Sequence, residues 1–87
     1  MREQTIAIVN KIGLHARPAA LLVKTAAAFK SDVALVKDGK TFNAKSILAI
    51  MGAGVKAGET VAVRAEGPDE NEALETVAAL IKSGFNE

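Results

Sequence analysis

Cysteine, tryptophan and tyrosine are absent from this chain of 87 residues, and phenylalanine occurs only three times. Without cysteine the chain can form neither a disulfide framework nor a cysteine-based metal site, which fits a reducing compartment. Because aromatic rings are so few, the core has to be built from alanine, valine, isoleucine and leucine. The stacking rings that accompany basic residues in many nucleic-acid-binding proteins are also missing.

A strong net charge and long apolar runs are lacking as well. The formal net charge is +1, so no global basic field favours nucleic acid. No stretch approaches the length needed to span a bilayer, and the first residues contain no apolar run typical of a signal peptide. We therefore expect a cytoplasmic protein that binds neither a membrane nor nucleic acid directly.

The chain has one histidine, His15. One histidine without cysteine leaves too few ligands for a transition-metal site, so we expect no metal and no other cofactor. A Ser-His-Asp hydrolase is not supported, because nothing in the sequence brings Ser31, Ser46 or Ser83 to His15.

Apolar residues make up 49% of the chain, which favours one folded domain over residues 1–87. Alternating or β-branched segments predict strands, and apolar residues at helical spacing predict helices. The predicted strands cover 5–9, 33–37, 40–43 and 60–66, and the predicted helices cover 16–29, 46–52 and 69–83. This βαββαβα order predicts a two-layer α+β domain with helices on one face of a four-stranded sheet.

Turn and cap residues support these boundaries. Asp38-Gly39 predicts a hairpin, and Ser46 is a favoured helix N-cap. Asp69 is expected to cap the last helix, with Glu72 completing a capping box. The sheet face away from the helices should be the wetter one, and four polar residues are expected on it: Lys37, Thr41, Arg64 and Glu66.

His15 directly precedes a predicted helix, because Pro18 is tolerated only in a first helical turn. Unpaired backbone N–H groups of Ala16 and Arg17 can face an anion there, and Arg17 adds a forked cation that suits phosphate oxygens. A neutral imidazole at this position offers a ring nitrogen as a nucleophile. The pattern predicts a phosphate socket with a nucleophile in it. A plain anion-binding or RNA-binding domain with an incidental histidine is the alternative.

Five segments carry a family resemblance: GLHARPAAL at 13–21, DGK at the hairpin, NAKSI before the short helix, KAGE before the last strand and EGPDENEAL at the last helix. Together they resemble the HPr family, the histidine-containing phosphocarriers of the bacterial phosphotransferase system. The resemblance covers essentially the whole chain, and the order of elements agrees with it.

The resemblance implies an open-faced β-sandwich, in which three helices cover one face of a four-stranded antiparallel sheet. It implies that His15 accepts a phosphoryl group on Nδ1 from Enzyme I and passes it to a IIA component of a sugar permease. Arg17 would bind the phosphate together with the amide of Ala16. Such a protein is a stoichiometric, monomeric carrier and not an enzyme with its own turnover.

The resemblance also implies a regulatory site at Ser46. In many members the matching serine is phosphorylated by an HPr kinase/phosphorylase, and that form acts as a corepressor with catabolite control protein A. A mainly regulatory module of this kind is the alternative to the carrier.

Apolar residues occupy nearly every face of the short helix, so some of them must stay exposed. Exposed apolar patches often mark partner sites, and a poorly packed patch without function is the alternative. Family resemblance joins these apolar residues to the helix after His15. The expected docking patch contains six residues: Ala20, Leu21, Lys24, Ile47, Leu48 and Met51. Lys24, Lys45 and Lys56 are expected to steer acidic partners.

Two departures point to a second branch of the family. Ile12 stands where some members carry a small polar residue, and Phe85 stands where some sugar-system members carry a glutamate. The ending ALIKSGFNE and the segment NKIGLHARPA resemble the nitrogen-related branch, whose recipient is a regulatory IIA protein.

Overall fold

The protein is described here by a computed structural model, which covers residues 1–86. Its strands are β1 (Arg2–Ala7), β2 (Asp32–Lys37), β3 (Lys40–Asn43) and β4 (Thr60–Glu66). Its helices are α1 (Ala16–Ala27), α2 (Ile47–Gly52) and α3 (Glu70–Lys82), and a short 3₁₀ turn follows at Gly84–Asn86. The predicted βαββαβα order is confirmed.

The four strands form one antiparallel sheet in the order β1-β4-β2-β3. Strand β4 lies in the middle, where Val63 pairs with Gln4 of β1 and with Leu35 of β2. Its alternating Val61, Val63 and Ala65 are buried, as expected for a strand with one face on the core. The open-faced arrangement with helices on one side is confirmed.

The core lies between this sheet and the apolar faces of the helices. Helix α1 contributes Ala19, Leu22 and Ala26 to the core, and these residues recur at helical spacing. Helix α3 contributes five residues on one face: Ala73, Leu74, Val77, Ala78 and Ile81. The predicted apolar stripes of both helices are confirmed, and they fix the start of α1 over the sheet.

The outer face of the sheet is polar at Thr41, Arg64 and Glu66, but the prediction for Lys37 is wrong. Lys37 shares the face of the buried Val33 and Leu35, because side chains alternate along β2. Its ammonium donates to the Gly54 carbonyl over 3.1 Å and lies 3.2 Å from the Glu59 carboxylate. The carbonyl groups that follow α2 therefore draw Lys37 to the helix side.

Two elements have boundaries that differ from the predicted ones by two residues or more. Strand β1 begins three residues earlier than predicted and ends at Ala7, because its partner β4 extends to Glu66 and pairs Arg2 with Ala65. The alternation of buried Ile6 and Ile8 continues past the strand, where the Ile8 amide donates to the Glu59 carbonyl over 2.8 Å. Helix α1 ends at Ala27, two residues before its predicted end.

Asp69 is the N-cap residue of α3, but the predicted capping box with Glu72 is wrong. The Asp69 side chain makes no cap bond to α3 and instead accepts from the Lys30 amide, the Ser31 amide and the Ser31 hydroxyl, at 3.0, 2.8 and 2.5 Å. The first turn is closed instead by Glu70, whose carboxylate accepts from the Gly67 amide over 3.2 Å. Asp69 therefore ties the start of α3 to the loop after α1.

Neither a membrane-spanning helix nor a metal-binding cluster is found in the part of the chain that the structure describes. No helix within residues 1–86 combines the length and the apolar character that a bilayer requires. The same residues contain no group of three or more histidine, cysteine or acidic side chains that could hold a metal ion.

Candidate functional site

The loop between β1 and α1 is held in place by Gly13. Its φ is +85°, a conformation that favours glycine, and a Cβ built there would lie 2.7 Å from the Val55 carbonyl oxygen. The Asn10 amide group donates to the Gly13 carbonyl over 2.6 Å, and the Leu14 amide donates to the Val55 carbonyl over 3.0 Å. The loop therefore packs closely against the segment before β4, and it leaves His15 at the entry of α1.

His15 is the N-cap residue of α1. Its backbone is extended, with φ −85° and ψ −171°, and its carbonyl accepts the first helical hydrogen bond from the Ala19 amide over 2.9 Å. Its side chain makes no cap bond, so it does not occupy the amide groups that open the helix. The residue is half-buried, and its Nε2 atom is shielded from solvent.

Ala16 and Arg17 are exposed at the first and second positions of α1, as predicted. Among residues 1–86, no acceptor takes a hydrogen bond from either backbone amide. Pro18 is buried at the third position, where its missing N–H breaks no helical bond. These residues can coordinate an anion next to His15 through two amides and one guanidinium.

Ser46 is the N-cap residue of α2, as predicted. Its hydroxyl oxygen accepts from the Ala49 amide over 3.2 Å, and its carbonyl accepts from the Ile50 amide over 3.0 Å. The residue is half-buried. Its capping hydrogen bond gives it a structural role whether or not it is modified.

Helices α1 and α2 pack against each other, and both have exposed residues. Within α2 only Ile50 is fully buried, whereas Ile47, Leu48 and Met51 are exposed at 44%, 82% and 46%. On α1, Ala20 and Lys24 are exposed and Leu21 is half-buried. The structure therefore confirms that apolar residues of α2 stay at the surface.

Lysines around this surface differ in their surroundings. Lys24 and Lys56 are exposed. The Lys45 ammonium donates to the Phe29 carbonyl over 2.8 Å, where it binds the chain just after α1. Lys45 therefore links two segments and keeps its positive charge, and its expected role in steering partners stays a prediction.

Sequence reasoning missed Asn10 and Val55 as supports of the loop. Asn10 is only 5% exposed, although asparagine in a turn is usually read as a surface residue. Its only sequence signal is its place three residues before a glycine. Val55 acts through its backbone carbonyl, which no sequence pattern reveals.

The two departures noted in the sequence lie in different environments. Ile12 is 69% exposed in the loop before His15. Phe85 is 3% exposed and belongs to the core. A buried phenyl ring offers no polar group to the site, so Phe85 cannot take the role of a glutamate.

Comparison with known proteins decides the family. A sequence model described as the PTS HPr component phosphorylation site matches residues 2–83. The chain belongs to the HPr family. Its relatives include the phosphocarrier protein HPr of Cupriavidus necator, which is 40% identical over 87 residues and covers 100% of this chain and 98% of that protein, and the family predicted from the sequence is confirmed.

Both phosphocarriers and HPr-like proteins are among its relatives. The chain is 50% identical over 82 residues to the HPr-like protein Crh of Bacillus subtilis, covering 94% of this chain and 96% of Crh. A crystal structure of HPr-C-His from Thermoanaerobacter tengcongensis is 54% identical, with 100% and 98% coverage and a TM-score of 0.96. A crystal structure of an HPr dimer from the same organism is also 54% identical, with full coverage of both chains and a TM-score of 0.80.

Proposed function

We propose that this HPr-family chain is a phosphocarrier that accepts a phosphoryl group on His15 from Enzyme I and passes it to a IIA component of a sugar permease. The observation that carries the proposal is the N-cap position of His15, whose side chain leaves the amides of Ala16 and Arg17 available. A nucleophile and an anion-binding helix end are thus combined in one place.

Nδ1 of His15 is the proposed acceptor atom. Nε2 is shielded from solvent in a half-buried ring, so Nδ1 is the nitrogen that an incoming group can approach. The neutral imidazole attacks phosphorus through the Nδ1 lone pair, and a new N–P bond forms. The bond between phosphorus and the donor atom of phosphorylated Enzyme I breaks, and its electron pair returns to that donor atom. The reverse exchange delivers the group to the IIA protein.

Arg17 and the first amides of α1 stabilise the transferred group. Phosphoryl oxygens gain hydrogen bonds from the Ala16 and Arg17 amides and a charge-assisted bond from the Arg17 guanidinium. The carrier is used stoichiometrically, so it has no turnover of its own. Its partners dock on the α1–α2 patch of Ala20, Leu21, Lys24, Ile47, Leu48 and Met51, and Lys24 steers acidic surfaces toward it.

The oligomeric state and the compartment of the carrier are also proposed. A single copy presents His15, Arg17 and the whole patch, so we propose that the monomer performs the transfer in the cytoplasm. A nitrogen-related relay, with a regulatory IIA protein as the recipient, uses the same chemistry at His15.

A regulatory function through Ser46 is the second candidate, favoured by the similarity to the HPr-like protein Crh. Phosphorylation of Ser46 by an HPr kinase/phosphorylase would add charge beside the exposed residues of α2. The modified surface would then bind catabolite control protein A. Because Ser46 already caps α2, its loss has a structural effect that any test must separate from regulation.

The test is incubation with phosphoenolpyruvate and Enzyme I. The proposal predicts one acid-labile phosphate on the wild-type chain and none on His15→Ala, while Ser46→Ala is labelled like the wild type. Full labelling of His15→Ala would contradict the carrier function. Running the assay with sugar-type and nitrogen-type Enzyme I separates the two branches by their relative rates.

A further inference from the structure

A surface pocket lies between the loop before α1 and the end of α3. It measures about 540 Å³, and the described residues that line it are Val9, Asn10, Lys11, Ile12, Lys82, Ser83 and Gly84. This volume lies within the range of small-molecule sites. We propose that the pocket binds a small organic anion with a short apolar chain, such as a fatty carboxylate. The inference does not rest on the phosphate relay.

The charge of the pocket points to an anion. Lys11 and Lys82 are exposed and line it from two separate segments, and none of the lining residues within 1–86 is acidic. Within residues 1–86, neither ammonium group forms an ion pair with a carboxylate. Two ammonium groups on one cavity attract an anion more strongly than either does alone.

The apolar part of the lining points to a ligand with a hydrocarbon segment. Val9 and Ile12 are 60% and 69% exposed and are separated by only two residues. Burying them against an alkyl chain removes apolar surface from water, which inorganic phosphate cannot do. The combination selects an amphiphilic anion over a simple ion.

Unpaired carbonyl oxygens at the end of α3 would repel an anion, but two of them accept hydrogen bonds from Ser83. The Ser83 amide donates to the Ala79 carbonyl over 3.0 Å, and the Ser83 hydroxyl donates to the Leu80 carbonyl over 2.7 Å. The negative end of the helix is therefore partly satisfied, and Lys82 lies in its last turn.

The pocket also adjoins the structure that holds His15. Asn10 lines the pocket and donates to the Gly13 carbonyl, two residues before His15. An occupant in contact with Lys11 and Ile12 would restrict this loop from its outer side. The site thus gives a small metabolite access to the loop without covering the α1–α2 patch.

The test is an NMR titration of the full chain with hexanoate, followed on backbone amides. We expect saturable shifts at Lys11, Ile12, Ser83 and Gly84 at millimolar hexanoate. Hexanol lacks the charge and phosphate lacks the chain, so both should bind more weakly. Lys11→Gln and Lys82→Gln should each weaken hexanoate binding about fivefold, as expected for the loss of one solvent-exposed charge contact.

Lys40→Gln is the matched control, because Lys40 is an exposed lysine outside the pocket. It should leave the affinity unchanged, whereas Ile12→Ser should lower it. The proposal is wrong if hexanoate shifts no pocket amide, or if the Lys11 and Lys82 variants bind like Lys40→Gln. Phosphate binding as tight as hexanoate binding would also contradict it, since the apolar contact would then contribute nothing.

Discussion

At the scale of single residues, the backbone that presents His15 depends on Gly13. We expect Gly13→Ala to destabilise the fold and to slow labelling of His15, because φ is +85° and the new Cβ would meet the Val55 carbonyl at 2.7 Å. Gly39→Ala is the matched control, since its φ is +78° with nothing within 4 Å. A left-handed alanine alone costs about 1–2 kcal/mol, so the Gly13 variant should lose more than that. Equal losses in urea unfolding would show that the close approach to Val55 is unimportant.

Ser46 gives a second prediction at this scale. Ser46→Ala removes the acceptor of the Ala49 amide and should lower the free energy of unfolding by about 1 kcal/mol. Ser46→Asn retains a capping side chain and should recover most of the loss. Denaturant unfolding measures the stability of both variants. A Ser46→Ala variant as stable as the wild type would show that the cap contributes nothing to stability.

At the scale of elements, α2 separates docking from stability within one short helix. Leu48 is 82% exposed, so Leu48→Ala should change stability by less than about 0.5 kcal/mol and slow phosphoryl transfer from Enzyme I about tenfold. Ile50 is fully buried, and Ile50→Ala should cost about 2–5 kcal/mol. Unchanged transfer kinetics in the Leu48 variant would remove Leu48 from the docking patch.

The strands also show where a sequence pattern alone is enough to predict the bounds of an element. Strand β4 matches its predicted range, because one buried face produces a clear alternation over Thr60–Glu66. Strand β1 does not, because the polar residues Arg2, Glu3 and Gln4 join the sheet only through pairing with β4. The predicted capping box at Asp69 was wrong for a related reason. The Asp69 carboxylate accepts hydrogen bonds from Lys30 and Ser31, which are distant in sequence.

At the scale of the whole molecule, three carboxylates make stability depend on pH. The Ser31 hydroxyl and the Lys30 amide lower the pKa of Asp69 from 3.8 to about 2. Hydrogen bonds from the amides of Lys56 and Gly67 lower the pKa values of Glu59 and Glu70. Groups with a lowered pKa stabilise the fold above their unfolded-state values, and this contribution is lost as the pH falls through the folded-state values. We expect stability to decline from about pH 4.5 toward pH 2.

Asp69→Asn tests this account against Asp32→Asn, a change at an exposed carboxylate of β2. The Asp69 variant should be less stable than the wild type at neutral pH, and the difference should shrink between about pH 4 and pH 2. Thermal unfolding across this range measures the effect. A pH-independent difference, or an equal loss in the Asp32 variant, would contradict the role given to Asp69.

The candidate site was predictable in part at this scale. One short segment contains the candidate residues His15, Ala16 and Arg17 together with Pro18, which marks the start of a helix. The chemistry of a helix N-terminus is therefore enough to select them. The supports at Asn10 and Val55 could not be predicted, because Val55 contacts the loop through a backbone carbonyl that the tertiary fold brings to Leu14. The position of Lys37 was predictable, because alternation along β2 already places it on the face of Val33 and Leu35, and hydrogen bonds to the carbonyls after α2 hold its ammonium there.

The central claim is that Nδ1 of His15 carries the phosphoryl group. Because the chain has one histidine, ¹⁵N-histidine labelling gives the imidazole signals of His15 alone. After incubation with phosphoenolpyruvate and Enzyme I, the account predicts that the Nδ1 resonance moves and couples to phosphorus, while Nε2 keeps its proton. Phosphorus coupling at Nε2, or imidazole signals that do not change while phosphate is incorporated elsewhere, would contradict it.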